Sequence, residues 1–561
     1  MFGRLVRSLF NKFEQRTVNG EKVVVGVTRI AGVLWNYTLE DGEAIVGDGG
    51  SPAIPTSTTG KITIPSTLGG CPVVRIADWA FDGCSGLTCV TIPDSVVGIG
   101  TCAFYGCSGL KSVVIPDSVR KIERWAFRDC SGLAKVTIGD GVQDIEKWAF
   151  AHCVGLTSFV VSKYNPVYKS DNGLLLTKNG DTLVAGVNGV VKVPVGVRSI
   201  GDYAFFCCEG LTSVTISRGV AEIGSKAFLH CTGLTCVKIS DSVTSIKSGA
   251  FQDCTGLTSV TFPASAVNCG NDVFSGCRSL RNVTIPDSVM GIGSSVFDGC
   301  DEALFDVRTN PGLKLVDGWV VGYTGQLPAK LDLTGVRGIA SRAFAGCTWL
   351  RDVTLPDNAK GVGTSTFSGC TGLTSVTIPD SYTRIGESAF GRCSNLLSAT
   401  IPKGVTHIGN RAFEGCTSLM SVSALDGVVS FEFGAFEGCT SLRRIKIPDL
   451  VTSIPSSLCY NCSRLTDVVI PGSVTSIGFV AFRGCDSLTS VTIPDSVTEI
   501  GDGAFAYCKG LRNVKFLGDV PKIGYRAFDN GPSDRIVYLP KGNTTYEVCD
   551  GKWYGMTVER Y

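Results

Sequence analysis

Apolar and polar side chains alternate in a short stretch that returns many times along the chain. In Leu488–Ile493 the Leu, Val and Ile side chains point to one side while Ser490 and Thr492 point to the other, which predicts a short strand with one buried face. The sequence PDSV then ends the strand, because proline cannot donate to a sheet and Asp and Ser favour turns. The following IGDGAF is too short for a long helix and predicts one tight helical turn, with Ala and Phe facing inward.

The Phe of this unit repeats with a period of 23 residues, in 18 copies when Cys459, which takes the position once, is included. Two gaps interrupt the period, one of 55 residues before Phe205 and one of 47 before Phe344. A single unit cannot bury its own apolar side, but stacked units share one continuous core. The repeat therefore predicts an α/β repeat solenoid. The Phe positions are Phe81, Phe104, Phe127, Phe150, Phe205, Phe228, Phe251, Phe274, Phe297, Phe344, Phe367, Phe390, Phe413, Phe436, Phe482, Phe505 and Phe528.

A cysteine follows the Phe position by three residues in 17 copies, and Gly531 replaces it in the last copy. One cysteine per coil of a large solenoid is unlike a disulfide framework, and zinc sites need closely spaced partners that this pattern lacks. Free cysteine behaves as a small buried hydrophobic residue with a weak donor thiol, so we interpret these ladder cysteines as packing groups. The C-x-x-C of Cys459 and Cys462 is then two core substitutions, with redox chemistry as the alternative. The ladder cysteines are Cys84, Cys107, Cys130, Cys153, Cys208, Cys231, Cys254, Cys277, Cys300, Cys347, Cys370, Cys393, Cys416, Cys439, Cys462, Cys485 and Cys508.

The segments outside the period complete the predicted domain organisation. Residues 1–20 form a basic amphipathic segment whose apolar residues fall at helical spacing up to Phe13, which predicts a helix that covers the end of the fold or lies on a membrane. Residues 21–61 are predicted to be an N-terminal β cap and residues 62–540 the solenoid. Residues 541–561 are predicted to be a C-terminal cap in which Trp553 and Tyr554 shield the last coil.

Two insertions interrupt the predicted solenoid, near residues 162–189 and 301–334. The first contains Asn172-Gly173 and the second Asp317-Gly318, and such pairs between apolar segments favour hairpin turns. A degenerate extra coil is the alternative for the second insertion, because the gap of 47 residues between Phe297 and Phe344 exceeds two 23-residue repeats by one residue.

Composition and charge argue against several functions. The chain has 51 basic and 50 acidic residues, so no nucleic-acid partner is predicted. No apolar run is long enough to span a membrane, and Arg4 and Arg7 interrupt what would be the apolar core of a secretory signal. The three histidines, His152, His230 and His407, do not form a nucleophile–base pair or metal-ligand pattern, and no phosphate-binding loop is found. The sequence predicts a non-enzymatic protein without metal or cofactor.

The repeated pattern I-P-x-x-V-x-x-I-G-x-x-A-F-x-x-C-x-x-L resembles the 23-residue unit of the BspA-type leucine-rich-repeat family over about residues 62–540. The resemblance implies a right-handed, curved solenoid with a parallel sheet on its concave face. It also implies an adhesin-like protein, at the cell surface or secreted, that binds a protein or a glycan. The missing signal and the unpaired cysteines favour the alternative, a cytoplasmic scaffold or regulatory protein-interaction module.

One part of the strand surface stands out as a predicted partner-binding site. Outward strand positions are mostly Thr and Ser, which makes this face nearly uncharged. Arg444 and Lys446 occupy two such positions, with Arg443 beside them and Asp467 on the next strand. A basic spot on a neutral face suits an acidic partner segment or a sulfated glycan.

Trp319 and Tyr323 in the second insertion are a second predicted binding site. If the insertion exposes them, these aromatic side chains form a binding lip on one face of the repeat. A hairpin that packs on its own coil is the alternative.

Overall fold

The computed structural model describes residues 12–18, 21–265 and 268–561. These residues belong to two compact units, the first extending to Val289 and including Val296–Leu304, the second containing Met290–Ser295 and Phe305–Tyr561. Each unit is a solenoid whose parallel strands pair in register with the next coil. Helix within the described residues is limited to two 3-10 turns, Glu302–Leu304 and Leu425–Gly427. The predicted α/β class is therefore corrected to an almost wholly β solenoid.

The alternating segments form strands in the predicted register, which we call front strands. In Ser490–Ile493 the Val and Ile are buried while Ser490 and Thr492 are exposed, because successive side chains leave a strand on opposite sides. The front strands of the first unit are Gly60–Thr63, Leu87–Thr91, Ser112–Ile115, Lys135–Ile138, Ser158–Val161, Gly189–Lys192, Leu211–Thr215, Cys236–Lys238, Ser259–Thr261 and Asn282–Thr284. Those of the second unit are Lys330–Asp332, Asp352–Thr354, Ser375–Thr377, Ser398–Thr400, Ser421–Ser423, Arg444–Lys446, Asp467–Val469, Ser490–Ile493, Asn513–Phe516 and Ile536–Leu539.

A second row of two-residue strands, the side strands, includes the Ile of each I-G pair. They pair in parallel between neighbouring coils, as Lys121–Ile122 does with Asp144–Ile145. The side strands of the first unit are Gly98–Ile99, Lys121–Ile122, Asp144–Ile145, Ser199–Ile200, Glu222–Ile223, Ser245–Ile246 and Asn268–Cys269. Those of the second unit are Gly291–Ile292, Gly338–Ile339, Gly361–Val362, Arg384–Ile385, His407–Ile408, Ser430–Phe431, Ser453–Ile454, Ser476–Ile477, Glu499–Ile500 and Lys522–Ile523.

The A-F corner of each coil is a series of turns and not the predicted helical turn. In the coil of Phe390, Ser388 and Arg392 have φ values of 50° and 60°. A right-handed helical turn requires negative φ, so it cannot contain these two residues. The Phe390 amide instead donates to the Ala412 carbonyl of the next coil at 2.8 Å. The corners therefore add a third row of hydrogen bonds between coils.

The core of each unit contains stacked Phe rings beside the ladder cysteines. Phe390 is fully buried between Phe367 and Phe413, with ring centroids 5.7 and 5.4 Å away. The Cys416 thiol donates to the Phe390 carbonyl at 3.1 Å, and this contact recurs from coil to coil at a separation of 26 residues. Sixteen ladder cysteines are buried and Cys208 is half-buried, and none is in a disulfide. The packing interpretation of the ladder cysteines agrees with these contacts.

The N-terminal part of the described chain is an antiparallel sheet joined to the first coil. Lys12–Val18, Glu21–Ile30, Val33–Glu40 and Glu43–Val46 pair in that order, and the last pairs in parallel with Cys71–Ile76. Thr67–Leu68 also pairs with Cys71–Ile76, in antiparallel orientation. The predicted amphipathic helix is wrong for residues 12–18, which are a strand, and its remainder lies outside the described residues.

At the other end, Met556–Arg560 pairs in parallel with the front strand Ile536–Leu539. Lys552–Trp553 precedes it and pairs with it in antiparallel orientation. Trp553 is buried with its ring edge-on to Phe516 at 5.1 Å. Tyr554 is 62% exposed, so it does not shield the last coil as predicted.

Both insertions contain antiparallel strands. In the first, Tyr168–Asp171 pairs with Leu174–Thr177, which pairs with Thr182–Ala185. In the second, Leu313–Val316 pairs with Trp319–Tyr323. Thr182–Ala185 and Trp319–Tyr323 each pair in parallel with the following side strand, so each antiparallel group joins the solenoid through that row.

Candidate functional site

The front face of each unit presents two outward side chains per strand. Ser375 and Thr377 are both exposed on one strand, and Ser398 and Thr400 on the next. The row of outward threonines is exposed or half-exposed throughout, as at Thr91, Thr137, Thr215, Thr261, Thr284, Thr354, Thr377, Thr400 and Thr492. This face therefore offers mainly hydroxyl groups, together with exposed lysines in the first unit at Lys61, Lys135, Lys192 and Lys238.

The predicted basic spot is largely neutralised by acidic neighbours. Arg444 Nε lies 3.1 Å from Asp467 Oδ2, and Lys446 Nζ lies 3.4 Å from Asp426 Oδ1. Asp426 belongs to the 3-10 turn Leu425–Gly427 of the preceding coil. Because it is not at an outward strand position, it was not included in the predicted spot. Arg443 is exposed, so the five side chains together carry one net positive charge.

The structure packs Trp319 and Tyr323 against the following coil. Trp319 is 6% exposed, and Tyr323 is half-buried with its ring stacked on Phe344 at 6.3 Å. A hydrogen bond with the Cys347 thiol, together with burial, raises the pKa of Tyr323 to about 12. Tyr323 thus extends the Phe stack by one ring. The expected exposure is wrong for Trp319, whereas Tyr323 is half-buried.

The histidines lie apart, each with a separate neighbour. His152 Nδ1 is 3.1 Å from Glu209 Oε1, His230 Nδ1 is 3.7 Å from Asp253 Oδ2, and His407 Nδ1 contacts Thr406 Oγ1 at 2.8 Å. Among the described residues, no group of three or more His, Cys, Asp or Glu side chains is placed to hold a metal ion.

Sequence reasoning missed a set of aromatic side chains on the corners of the first unit, interrupted once by Cys102. Trp79, Trp125, Trp148 and Tyr203 all stand two residues before the Phe position of their coils, where φ is positive. Trp125 stacks on Trp148 at 5.8 Å, and Trp148 meets Tyr203 edge-on at 5.1 Å. The recurrence of aromatic residues at one position of the period was the available signal.

This aromatic set ends at a cleft of about 270 Å³ beside the first insertion. Trp148, Phe150, Tyr203, Phe206 and Cys208 line it together with the strand Thr182–Ala185. Arg124 Cζ lies 4.1 Å from the centroid of the Trp148 ring, in a cation–π contact. The first unit thus carries an aromatic surface in addition to its front face.

Parallel strands that recur every coil, with Leu, Ile, Phe and Cys at fixed positions, define a leucine-rich-repeat solenoid. The family model described as the BspA type leucine rich repeat region matches residues 56–170, 189–303, 330–439 and 412–534, which is more than half of the chain. The chain belongs to this family, as the sequence predicted.

Several solved structures are similar to this chain. A leucine-rich repeat protein from Bacteroides ovatus is 22% identical, with 95% of this chain and 99% of that chain covered and a TM-score of 0.35. A leucine rich cell surface protein from Faecalibacterium prausnitzii is 27% identical, with 79% and 94% covered and a TM-score of 0.27. A T. pallidum leucine rich repeat protein is 25% identical, with 49% and 90% covered and a TM-score of 0.21. No curated protein matches the chain.

Proposed function

We propose that this protein is a non-enzymatic protein-recognition scaffold, adhesin-like and exposed at the cell surface or secreted, which binds a macromolecular partner on its front face. Membership of the leucine-rich-repeat family points to a protein-interaction scaffold, and one similar structure is that of a cell surface protein. The observation that carries the proposal is the front face itself, where outward hydroxyl groups recur in both units, as at Thr354, Thr377, Thr400 and Ser423 on successive strands. We also propose that this face is the concave side of a right-handed, curved solenoid.

Arg444, Lys446 and Arg443 are the proposed contact residues on this face. Their partner is an acidic protein segment or a sulfated glycan, which would displace Asp426 and Asp467 from the two cations. Such a displacement costs little, because ion pairs between exposed side chains stabilise proteins by about 0–1 kcal/mol. Arg443 is exposed and adds a third cation, which gives an acidic partner a net attraction to the spot.

Trp319 and Tyr323 are the second proposed site, in a modified form. Tyr323 keeps part of its ring exposed and could contact a partner directly, whereas Trp319 holds the strand below it. A Cβ at Gly338 would lie 2.5 Å from the Trp319 ring, so the indole covers that glycine closely.

A double charge reversal, Arg444→Glu with Lys446→Glu, tests the proposal. We expect an acidic Glu-rich peptide or heparin to bind the full chain at low salt, and the double variant to bind at least about tenfold more weakly, since four units of charge change at one spot. Lys238→Glu, an exposed front-strand lysine in the first unit, is the matched control and should keep its affinity. Equal affinity of the double variant and the parent would show that the partner does not bind at Arg444 and Lys446.

An intracellular scaffold is the second candidate, because all 25 cysteines are free. Free thiols persist in reducing compartments, whereas secreted proteins usually carry disulfides. Protease treatment of intact cells that make the full-length protein separates the two candidates. Cleavage of the protein by an external protease supports surface display, and complete protection supports the intracellular alternative.

A further inference from the structure

The first insertion breaks the front strands of the first unit into two separate sheets. Ser158–Val161 is the last front strand of one sheet, and Gly189–Lys192, which we call the re-entry strand, is the end strand of the other. The insertion covers the edge of Ser158–Val161, because the Phe159 amide donates to the Gly173 carbonyl at 2.8 Å. On its side of the break, the re-entry strand pairs with no strand of the described chain.

One edge of the re-entry strand is therefore unpaired. The amides of Gly189 and Val193 donate to carbonyls of the following coil, at 2.9 and 3.0 Å. Successive amides of a strand point to opposite sides, so the amides of Val190 and Lys192 face the break. Neither amide has an acceptor within the described part of the chain. Free backbone groups along a strand edge are a template for an added strand.

The outward side chains at this edge are unusually apolar. Val190 is 82% exposed, and Val195, in the turn that follows the strand, is 84% exposed. The front strands that begin the other two uninterrupted runs have Lys61 and Lys330 at the position of Val190. Charged side chains on an edge strand oppose pairing with other chains, and at Val190 the re-entry strand lacks this protection.

Basic side chains border the break. The aspartate of the PDSV turn is replaced in three successive coils there, by Lys163, Val195 and Arg218. Lys163, Lys192 and Arg218 are exposed, and none of them forms an ion pair with another described residue. This edge therefore attracts an acidic segment, whereas a second copy of the chain would bring the same cations and be repelled. The aspartates at this turn position in neighbouring coils are Asp94, Asp117, Asp140 and Asp241.

We propose that an acidic, extended segment of a partner protein adds to the open edge of the re-entry strand as a further β-strand. The backbone of the segment pairs with the free N–H groups of Val190 and Lys192, and a β-branched side chain of the segment covers Val190. Side chains two residues apart share one face of a strand, so a carboxylate two residues further along lies beside Lys192. Backbone pairing supplies affinity, and the alternate side chains supply specificity.

This site lies in the first unit and does not rest on the basic spot of Arg444 and Lys446. It also binds by a different mode, because strand addition needs free backbone groups, which the paired inner strands of the front face do not offer. The attraction to Lys192 weakens with salt, whereas the backbone hydrogen bonds remain.

Binding of a fluorescently labelled, amidated peptide to the full chain, measured by anisotropy, tests the inference. The peptide Glu-Val-Thr-Val-Glu-Val-Thr-Glu alternates Val with Thr or Glu, and we expect saturable binding at about 0.05 M salt. In the control peptide, Pro replaces the first Thr and the Val after it, so each edge of the peptide loses an amide while the charge is kept. This control should bind at least about tenfold more weakly.

Two pairs of variants separate the backbone contact from the charge. Lys192→Thr removes the charge and should weaken binding about threefold, whereas Lys192→Pro also removes the N–H and should weaken it at least about tenfold further. Val190→Glu should weaken binding about tenfold by repelling the acidic peptide. Its matched control is Val114→Glu, at a residue 61% exposed on an inner front strand that is paired on both sides, and it should keep the affinity of the parent.

Thermal melting shows which variants are folded, and Val190→Glu carries the comparison if Lys192→Pro melts early. The double variant Arg444→Glu with Lys446→Glu should bind the peptide as tightly as the parent. Absence of binding, equal binding of the Pro peptide, full affinity of Val190→Glu, or loss of binding in the double variant would each overturn the inference. A dimer of the full chain that excludes the peptide would also overturn it, by assigning the edge to a second copy.

Discussion

At the scale of single residues, a ladder cysteine within a run both fills space in the core and donates a hydrogen bond. The thiol enters a site of fixed size beside the Phe stack and donates to a Phe carbonyl one coil earlier, as Cys393 does to Phe367 at 3.1 Å. The first cysteine of each uninterrupted run, Cys84, Cys208 or Cys347, has no Phe at that separation. The ladder is therefore a property of stacked coils and not of one coil alone.

The last copy shows how the ladder ends. Gly531 leaves space at the cysteine position, and the buried Arg535 guanidinium fills it, since a Cβ at Gly531 would lie 1.1 Å from Arg535 Nη2. Arg535 Nη1 donates to the Phe528 carbonyl at 2.6 Å, which is the acceptor that the thiol of a following coil would use. The sequence shows the missing cysteine, but it does not show that a residue four positions later replaces it.

We predict that the free energy of unfolding falls with rising pH above about pH 9. Burial raises the pKa of Cys84 to about 11 and those of Cys300 and Cys508 to about 12, from an ordinary 9.0. The folded chain holds these protons more tightly than the unfolded chain, so this stabilisation is complete below pH 9 and is lost towards pH 12. Urea unfolding between pH 7 and 11 measures it.

Thiol labelling at pH 8 is the companion control. The exposed Cys236 and Cys549 should react with iodoacetamide in the folded protein, and the buried ladder cysteines should react after unfolding in urea. A flat stability profile up to pH 11, or labelling of most ladder cysteines in the folded state, would contradict the prediction.

At the scale of structural elements, the corner is where local conformation and sequence are least matched. Each corner requires two left-handed residues, and glycine is common at the second, just before the cysteine, because it adopts positive φ at little cost. His152 and His230 occupy that second position with φ values of 56° and 60°. They are therefore substitutions at a glycine position.

We predict that Ser388→Gly stabilises the chain by about 0.5–1 kcal/mol, because Ser388 has a φ of 50° and glycine removes the steric cost of that conformation. The matched control is Ser398→Gly in an exposed front strand, which should destabilise it by about 0.5–1 kcal/mol through lost backbone restriction. Urea unfolding of both variants gives the comparison. A loss of stability in Ser388→Gly would show that the corner is not strained there.

The front strands could be predicted from the sequence because alternation and β-branched residues specify a strand locally. The predicted helical turn at the corner was wrong, although glycine precedes the cysteine in nine of the 17 copies and is typical of positive φ. The basic spot was predicted as Arg444 and Lys446, but its neutralisation by Asp426 was missed, because Asp426 stands at the Asp position of the PDSV turn and not at an outward strand position. Trp319 appeared to be an exposed loop residue because an insertion has no period from which burial can be derived.

At the scale of the whole molecule, each coil contacts mainly its two neighbours, so stability is a sum of local terms. The stacking is not uniform along the second unit. Cys459 takes a Phe position between Phe436 and Phe482 and separates their rings into two stacks. The smaller side chain is fully buried there.

We predict that Phe390→Ala destabilises its coil by about 3–5 kcal/mol, because the ring is fully buried and stacked on both sides. Hydrogen exchange should accelerate in that coil and in its two neighbours and stay unchanged in the first unit. Phe479→Ala, at a residue 55% exposed, is the control and should change stability by less than about 0.5 kcal/mol. Faster exchange along the whole chain would contradict nearest-neighbour coupling.

Within each uninterrupted run the cysteine ladder has a polarity, since every thiol after the first donates to a backbone carbonyl of the preceding coil. Interior coils of one run thus make the same Phe and Cys contacts with the coil before and the coil after them. Gene duplication or deletion in steps of 23 codons can lengthen or shorten a run while keeping its Phe and Cys positions in register. The ends of the solenoid are different. A new last coil would need its own donor for the last Phe carbonyl, as Arg535 provides here. We therefore expect repeats to be added or lost inside a run and not at its end.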